Sequence, residues 1–207
     1  MPVPLRIVTI SRLFGAGGSS LAAALGERLR WRVLDRALVT EVAQRLRRPE
    51  PDIAAVDEQV LEPWQRAAVF ASAAFPEMPV PPLEFYLDLA VIEAVEAVLH
   101  DAAAAGPCVV VGHGAQCIFH DREDALHLRL VAPFEQRVSV AMRRLGLAAE
   151  AARRHVRKAD EERRAYLRQV HGVDGADSML YDLVVNTRNL RVEEVADLVV
   201  RLVEGRD

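Results

Sequence analysis

Ser11-Arg12-Leu13-Phe14-Gly15-Ala16-Gly17-Gly18-Ser19-Ser20 is the segment whose residue types and spacing point most directly to chemistry. It follows an apolar run, Ile7-Val8-Thr9-Ile10, and precedes a helical pattern. Strand, glycine-rich turn and helix together form a layout that cradles phosphate on backbone N–H groups and a helix N-terminus. A common phosphate-cradling loop reads G-x-x-x-x-G-K-[ST]. Against that pattern Gly17 stands at the second glycine, Gly18 at the lysine, Ser19 at the magnesium-coordinating hydroxyl and Arg12 at the first glycine. Gly15, Ala16, Gly17, Gly18, Ser19 and Ser20 are thus the candidate phosphate-holding residues, with Ser19 as the candidate metal ligand. The lysine is absent, and Lys158 is the only lysine in the chain. An arginine can replace its charge, because the guanidinium is permanently charged and its fork suits phosphate oxygens. Arg12, within the loop, and Arg36, after a strand end, are the candidates. The competing reading is a tight strand-to-helix turn that binds nothing.

Other groups fall at places where chemistry is expected. Asp35 ends a short strand and either helps hold a cation or caps the helix that follows. Gly112-His113-Gly114 follows the run Cys108-Val109-Val110-Val111, and His113 is either a phosphate donor or proton carrier, or a hydrogen-bonded structural group. Ala148 to Val170 carries Arg153, Arg154, Arg157, Lys158, Arg163, Arg164 and Arg168. The plain alternative there is a solvated helix laced by i,i+4 ion pairs of about 0.3–0.5 kcal/mol each. Asp57-Glu58 can serve a cation or an acceptor hydroxyl, or simply charge a helix N-terminus.

The elements that must position these groups alternate. Strand-like runs at Ile7 to Ile10, Trp31 to Leu34, Cys108 to Val111, His127 to Val131 and Leu183 to Val185 are separated by helical patterns. Those helices are expected over Ser20 to Arg30, Ala37 to Arg47, Leu83 to Ala104, Pro133 to Leu145, Ala148 to Val170 and Val192 to Val203. Alternation predicts an α/β fold with a parallel sheet and helices on both faces. Ligands then bind at the C-terminal ends of the strands, where the glycine loop, Asp35-Arg36, Gly112-His113-Gly114 and Asn186-Thr187 all fall. Seven of the eleven prolines lie between Pro49 and Pro82, which excludes one regular helix and predicts a partly helical insert over about 49–82.

Bulk composition narrows the classes. The 207 residues suit one domain with a sizeable core, half of them being apolar. Twenty-six basic against thirty acidic residues give a net charge of −4, which argues against a general nucleic-acid binder. Cys108 and Cys117 lack metal-ligand spacing, and the histidines show none either. No signal-peptide pattern and no apolar run of membrane-spanning length is evident, so a reduced, cytoplasmic setting is expected.

Several motifs together resemble the cytidylate kinase-like family, a divergent nucleoside monophosphate kinase branch of the P-loop NTPases. They are Ile10-Ser11-Arg12 with Phe14 to Gly18, Leu34-Asp35-Arg36, Val56-Asp57-Glu58, Val110 to Ala115, Leu130 to Pro133, Asp160-Glu161-Glu162-Arg163 and Tyr181 to Thr187. The resemblance implies a three-layer P-loop fold, ATP and Mg2+ as cofactors, and transfer of the γ-phosphoryl group to a nucleotide or other small acceptor. It implies phosphate neutralisation by Arg12 and Arg163, and a lid over about 148–172 whose D-x-x-R is Asp160 to Arg163. Asp35 would serve magnesium or the nucleoside, and Arg36, His113 and Asp160 would face the acceptor. Asn186-Thr187 matches the loop that skirts the ATP base. Departures are visible: His113-Gly114 stands where cytidylate kinases carry arginine-aspartate, and Val111 stands where an acid often precedes the glycine. A nucleotide-binding or regulatory module without efficient transfer is the alternative. A homo-oligomer is compatible with the sequence.

Overall fold

The computed structural model describes residues 3–53 and 83–205. Among these residues five parallel strands form one sheet in the order β2-β3-β1-β4-β5. They are β1 (Ile7–Arg12), β2 (Arg32–Leu34), β3 (Cys108–Val111), β4 (Ala125–Val131) and β5 (Leu183–Asn186). The helices are α1 (Gly18–Leu29), α2 (Arg36–Leu46), α3 (Leu83–Ala105), α4 (Ala115–Ile118), α5 (Phe134–Leu145), α6 (Ala149–Val170) and α7 (Val192–Glu204). Sequence reading missed the four-residue α4 and a 3-10 turn at Ser178–Leu180. Both are too short to display a period. Asp57-Glu58 and most of the expected insert lie outside the described residues.

The period-2 alternation of the inner strands sorts side chains into two cores. Val8 and Ile10 of β1, Val109 and Val111 of β3, and Leu126, Leu128 and Leu130 of β4 pack on one face against α1 and α7. Ile7, Cys108 and Val110 point to the other face, where α2 and α3 contribute Leu38, Val42, Val95 and Leu99. Covering both faces by helices is what makes β3 a continuous apolar run. Burial pushes the Cys108 thiol up to about 11, which makes it an inert core group. A third, separate cluster joins α5 to α6 through Val138, Ala141, Ala152 and Val156, with Phe14 packed against it. The arginine-rich segment is therefore one continuous helix that rests on α5 rather than on the sheet.

Two local expectations are corrected. Arg12 is not inside the loop but is the last residue of β1, because the strand continues to pair with β4 through Ser11↔Arg129 and Arg12↔Leu130. Asp35 occupies the N-cap position of α2, yet its side chain makes no capping hydrogen bond.

Candidate functional site

The glycine turn joins β1 to α1. Gly15 and Gly17 have φ of 78° and 96°, in the left-handed region that side chains rarely adopt. Gly15 is also closely packed, since a Cβ would stand 3.2 Å from the Arg137 carbonyl oxygen. The Ala16 N–H closes the turn on the Leu13 carbonyl (3.1 Å). Leu21 N–H bonds the Gly17 carbonyl (2.9 Å), so the N–H groups of Gly18, Ser19 and Ser20 precede the intrahelical ladder. They form the anion-attracting end of α1.

Arg12 occupies the place opened by two glycines. A Cβ on Gly18 would fall 2.9 Å from Arg12 Cγ. A Cβ on Gly112 would fall 1.9 Å from Arg12 Nη1. The stem thus runs over Gly18 and the guanidinium lies over Gly112, a course that only residues without side chains permit. Gly112, His113 and Gly114 are all left-handed, at φ 82°, 54° and 68°. His113 is therefore held in a conformation unusual for a residue with a side chain. Gly114 in turn leaves space for the imidazole of His171, whose Nε2 would lie 2.0 Å from a Cβ there.

Asp160 joins the arginine-rich helix to the turn. Phe14 N–H donates to Asp160 Oδ1 (2.8 Å), and Arg137 Nη1 donates to Asp160 Oδ2 (2.5 Å). Arg137 Nε donates to the Ala132 carbonyl (2.9 Å), and the Arg137 residue is 6% exposed. Arg163 stacks on the Phe14 ring at 5.8 Å, while His155 meets that ring edge-on at 4.8 Å. Arg157 lies over Phe134 at 5.2 Å. On the opposite wall the Tyr181 hydroxyl donates to the Gly175 carbonyl (3.0 Å), accepts from Arg129 (3.1 Å) and lies 3.2 Å from Ser11 Oγ. Thr187 Oγ1 donates to the Ala16 carbonyl (3.2 Å), fastening the loop after β5 to the glycine turn.

Ser11 to Phe14, Gly112 to Gly114, Arg137 and the middle of α6 line a cleft of about 830 Å³, whereas the expected phosphate-holding residues Gly15 to Ser20 are not among its lining. Arg12, Arg129, Arg137, Arg157, Lys158, Arg163 and Arg164 line it, against Asp160, Glu161 and Glu162. Among the described lining residues cations outnumber acids, which favours an anionic ligand. Of the residues singled out from sequence, the cleft collects Arg12, His113, Asp160 and Arg163. Asp35 and the exposed Arg36 follow β2, two strands away from β1, and do not line it. Arg153 and Arg168 are surface ion-pair members, with Glu135 and Asp174 respectively, as the solvated reading expected. Sequence reading missed Arg137, Arg129 and Gln116. Arg137 sits among the polar residues of an amphipathic helix, and only the shared Asp160 contact marks it out.

A model of the cytidylate kinase-like family matches residues 7–189. The chain belongs to that family. Within this family context a cytidylate kinase from Methanopyrus kandleri is 33% identical over 69 residues, 33% of this chain and 36% of that protein. The chain spans well under half the length of the curated relatives it matches. Among solved structures, an uncharacterized protein from Eubacterium ventriosum is similar with TM-score 0.70 and 18% identity, covering 96% of this chain and 98% of that one. A shikimate kinase from Acinetobacter baumannii, in complex with shikimate, gives TM-score 0.53 and 15% identity over 98% of this chain and 95% of that one. The sheet order and these likenesses identify the fold as the three-layer α/β fold of P-loop kinases.

The residues present fit a phosphate group well, through the glycine turn, the α1 N-terminus and Arg12. They offer magnesium less. Ser19 is the hydroxyl at the usual position, but β3 ends in the fully buried Val111, not in an acid. Among the described residues no group of three or more His, Cys, Asp or Glu side chains could hold a metal ion. Magnesium in such sites retains several waters and is held largely by substrate phosphates, so a single hydroxyl is a compatible, weak contribution. Among the described residues, no helix is long and apolar enough to cross a membrane.

Proposed function

We propose that this protein is a phosphotransferase that moves the γ-phosphoryl group of ATP to a nucleotide or other small acceptor. The observation that carries this reading is the course of Arg12 over Gly18 and Gly112. It brings a permanent cation to the mouth of a glycine turn whose lysine position is empty of charge. Phosphoryl transfer depends mainly on positioning and charge neutralisation, so a correctly placed guanidinium can supply part of what the lysine supplies elsewhere.

In this reading Gly15, Gly17, Gly18, Ser19 and Ser20 hold the phosphates on backbone N–H groups. Arg12 neutralises their charge from one side and Arg163, on α6, from the other. Ser19 would be the protein ligand of Mg2+, which when bound offsets phosphate charge. An acceptor oxygen bonds to the γ-phosphorus as the bond to the β-phosphate oxygen breaks, and ADP leaves. His113 and Asp160, in the middle of α6, border the acceptor side of the cleft.

A second reading has its own support. Asp160 ties α6 to Phe14 N–H, and β3 ends in Val111 rather than an acid. Both favour a module that binds nucleotide without efficient transfer. The deciding experiment measures ADP formation from ATP and Mg2+ with and without a panel of nucleoside monophosphates and shikimate, alongside ATP titration calorimetry. Acceptor-dependent ADP supports transfer. ATP binding without it supports the module, and no ATP binding overturns both readings.

A further inference from the structure

Asp160 stands in the middle of α6, and both its carboxylate oxygens go to donors outside that helix. Oδ1 accepts from the Phe14 N–H at 2.8 Å, and Oδ2 accepts from Arg137 Nη1. Phe14 belongs to the glycine turn, and all three residues line the cleft. The Arg137 side chain is 7% exposed and that of Asp160 19%, so the cation is set in the wall while the carboxylate keeps an opening to the cleft. Glu150 and Glu162, also on α6, instead pair within the helix with Arg153 and Lys158. A buried ion pair is a poor way to hold a helix down, since apolar side chains of similar volume usually serve as well or better. α6 already has such contacts, with Ala152 and Val156 packed in one cluster with Val138 and Ala141 of α5. A backbone N–H and a guanidinium that converge on one group form, instead, the donor set that oxyanions take.

We infer that the Phe14 N–H and Arg137 form an oxyanion site for a phosphate group, and that Asp160 fills this site in the unliganded chain. Ligand phosphate and Asp160 then compete for the same two donors. The inference rests on the phosphotransferase reading for its choice of phosphate among oxyanions. The site is separate from the N–H groups at the start of α1, whose residues do not line the cleft. Exchange leaves no buried charge unpaired. Arg137 passes from a carboxylate oxygen to a phosphate oxygen. The displaced Asp160 has Arg157 and Arg164 at i−3 and i+4 on its own helix, both on the cleft wall. Arg163, over the Phe14 ring at 5.8 Å, adds a cation beside the incoming group. α6 packs on α5 rather than in either sheet core, so its tie to the turn opens without unpacking those cores. Apparent affinity for phosphate is lowered by the fraction of molecules in which Asp160 holds the donors.

The test uses the full chain and titration calorimetry with pyrophosphate at constant ionic strength. Wild type is compared with Asp160→Asn and with Glu161→Gln, which removes an exposed neighbouring acid of the same cleft. Asp160→Asn should bind pyrophosphate about tenfold more tightly than wild type, because the donors no longer serve a charged acceptor. Glu161→Gln should gain no more than about threefold, the general effect of losing one exposed negative charge. Equal gains in the two variants, no gain in Asp160→Asn, or binding by none of the three proteins overturns the inference. Binding by Asp160→Asn alone supports it. Where wild type binds, its Phe14 amide resonance in 15N-phenylalanine-labelled protein should move with pyrophosphate, while that of the fully buried Phe119 stays. An unmoved Phe14 resonance at saturation overturns the inference. If Asp160→Asn does not fold, that result or an absence of wild-type binding overturns it. ATP, ADP and AMP in the same titrations separate the sources of the phosphate. A gain in Asp160→Asn for ATP beyond that for ADP supports a site for the donor's terminal phosphate, and a gain for AMP supports one for a phosphate on the acceptor. A gain for pyrophosphate with no ADP formed from ATP and any acceptor keeps the site and overturns the phosphotransferase reading itself.

Discussion

The stem of Arg12 lies against Gly18, so close that a Cβ on Gly18 would stand 2.9 Å from Arg12 Cγ. The residue at the customary lysine position is small because a second cation, one strand residue before the turn, has taken its space. The two positions are therefore coupled, and changing either alone disturbs the other.

Arg12→Ala should weaken ATP binding about tenfold or more, a step of about 1.4 kcal/mol, because it removes a charged hydrogen-bond donor to phosphate. Gly18→Ala should weaken it less, by pushing the Arg12 stem aside. Gly18→Lys gives no gain while Arg12 is present, since the lysine stem meets the same methylenes. Combined with Arg12→Ala it should recover part of the lost affinity. Titration calorimetry on the four variants checks this, and equal affinity for wild type and Arg12→Ala removes Arg12 from the site.

Asp160→Ala should destabilise the protein by about 3 kcal/mol, because it leaves the guanidinium of Arg137 buried without its carboxylate. Asp160→Asn should cost less, since an amide oxygen can still accept from Phe14 N–H. Urea unfolding measures both. Hydrogen exchange in α6 should accelerate more than in β3 in either variant, because Asp160 is the tie between that helix and the glycine turn. Uniform acceleration across α6 and β3 would show instead that α6 is an inseparable part of the core.

Acidification should destabilise the fold through His127 and His171. Burial holds both imidazoles below the ordinary value of 6.5, and this outweighs the opposing pull of Asp182 on His127 and of Glu96 on His171. Above 6.5 the group is neutral in both folded and unfolded chains. As pH falls below it, the unfolded chain takes up the proton first, so stability drops until the folded group also titrates. His127 Nδ1 is bonded to Thr9 Oγ1 at 2.8 Å inside the sheet. The urea midpoint should fall between pH 7 and pH 5, and His171→Gln should flatten that fall. A midpoint unaltered over this range in wild type would contradict the assignment.

The sequence by itself determined that the sheet is parallel and covered on both faces. The β-branched run Val109-Val110-Val111, the apolar Ile7 to Ile10 and the helical periods between them call for a parallel sheet covered by helices, because parallel strands need crossovers and crossovers need helices, while the strand order β2-β3-β1-β4-β5 came from the fold. It also marked the glycine turn and Arg12, since left-handed turns require glycine and charge next to them is visible in one dimension. Tertiary structure decided what those residues do. Arg12 and Gly112 are 100 positions apart, yet parallel pairing of β1 with β3 sets Ile10 beside Val111 and so brings the guanidinium over the glycine. Asp160 and Phe14 meet across 146 residues through the packing of α6 on α5. Arg137 reads in sequence like its solvated neighbours, and Gln116 like any polar residue after a turn. Burial belongs to the assembled layers rather than to a local pattern, which is why only the fold revealed both.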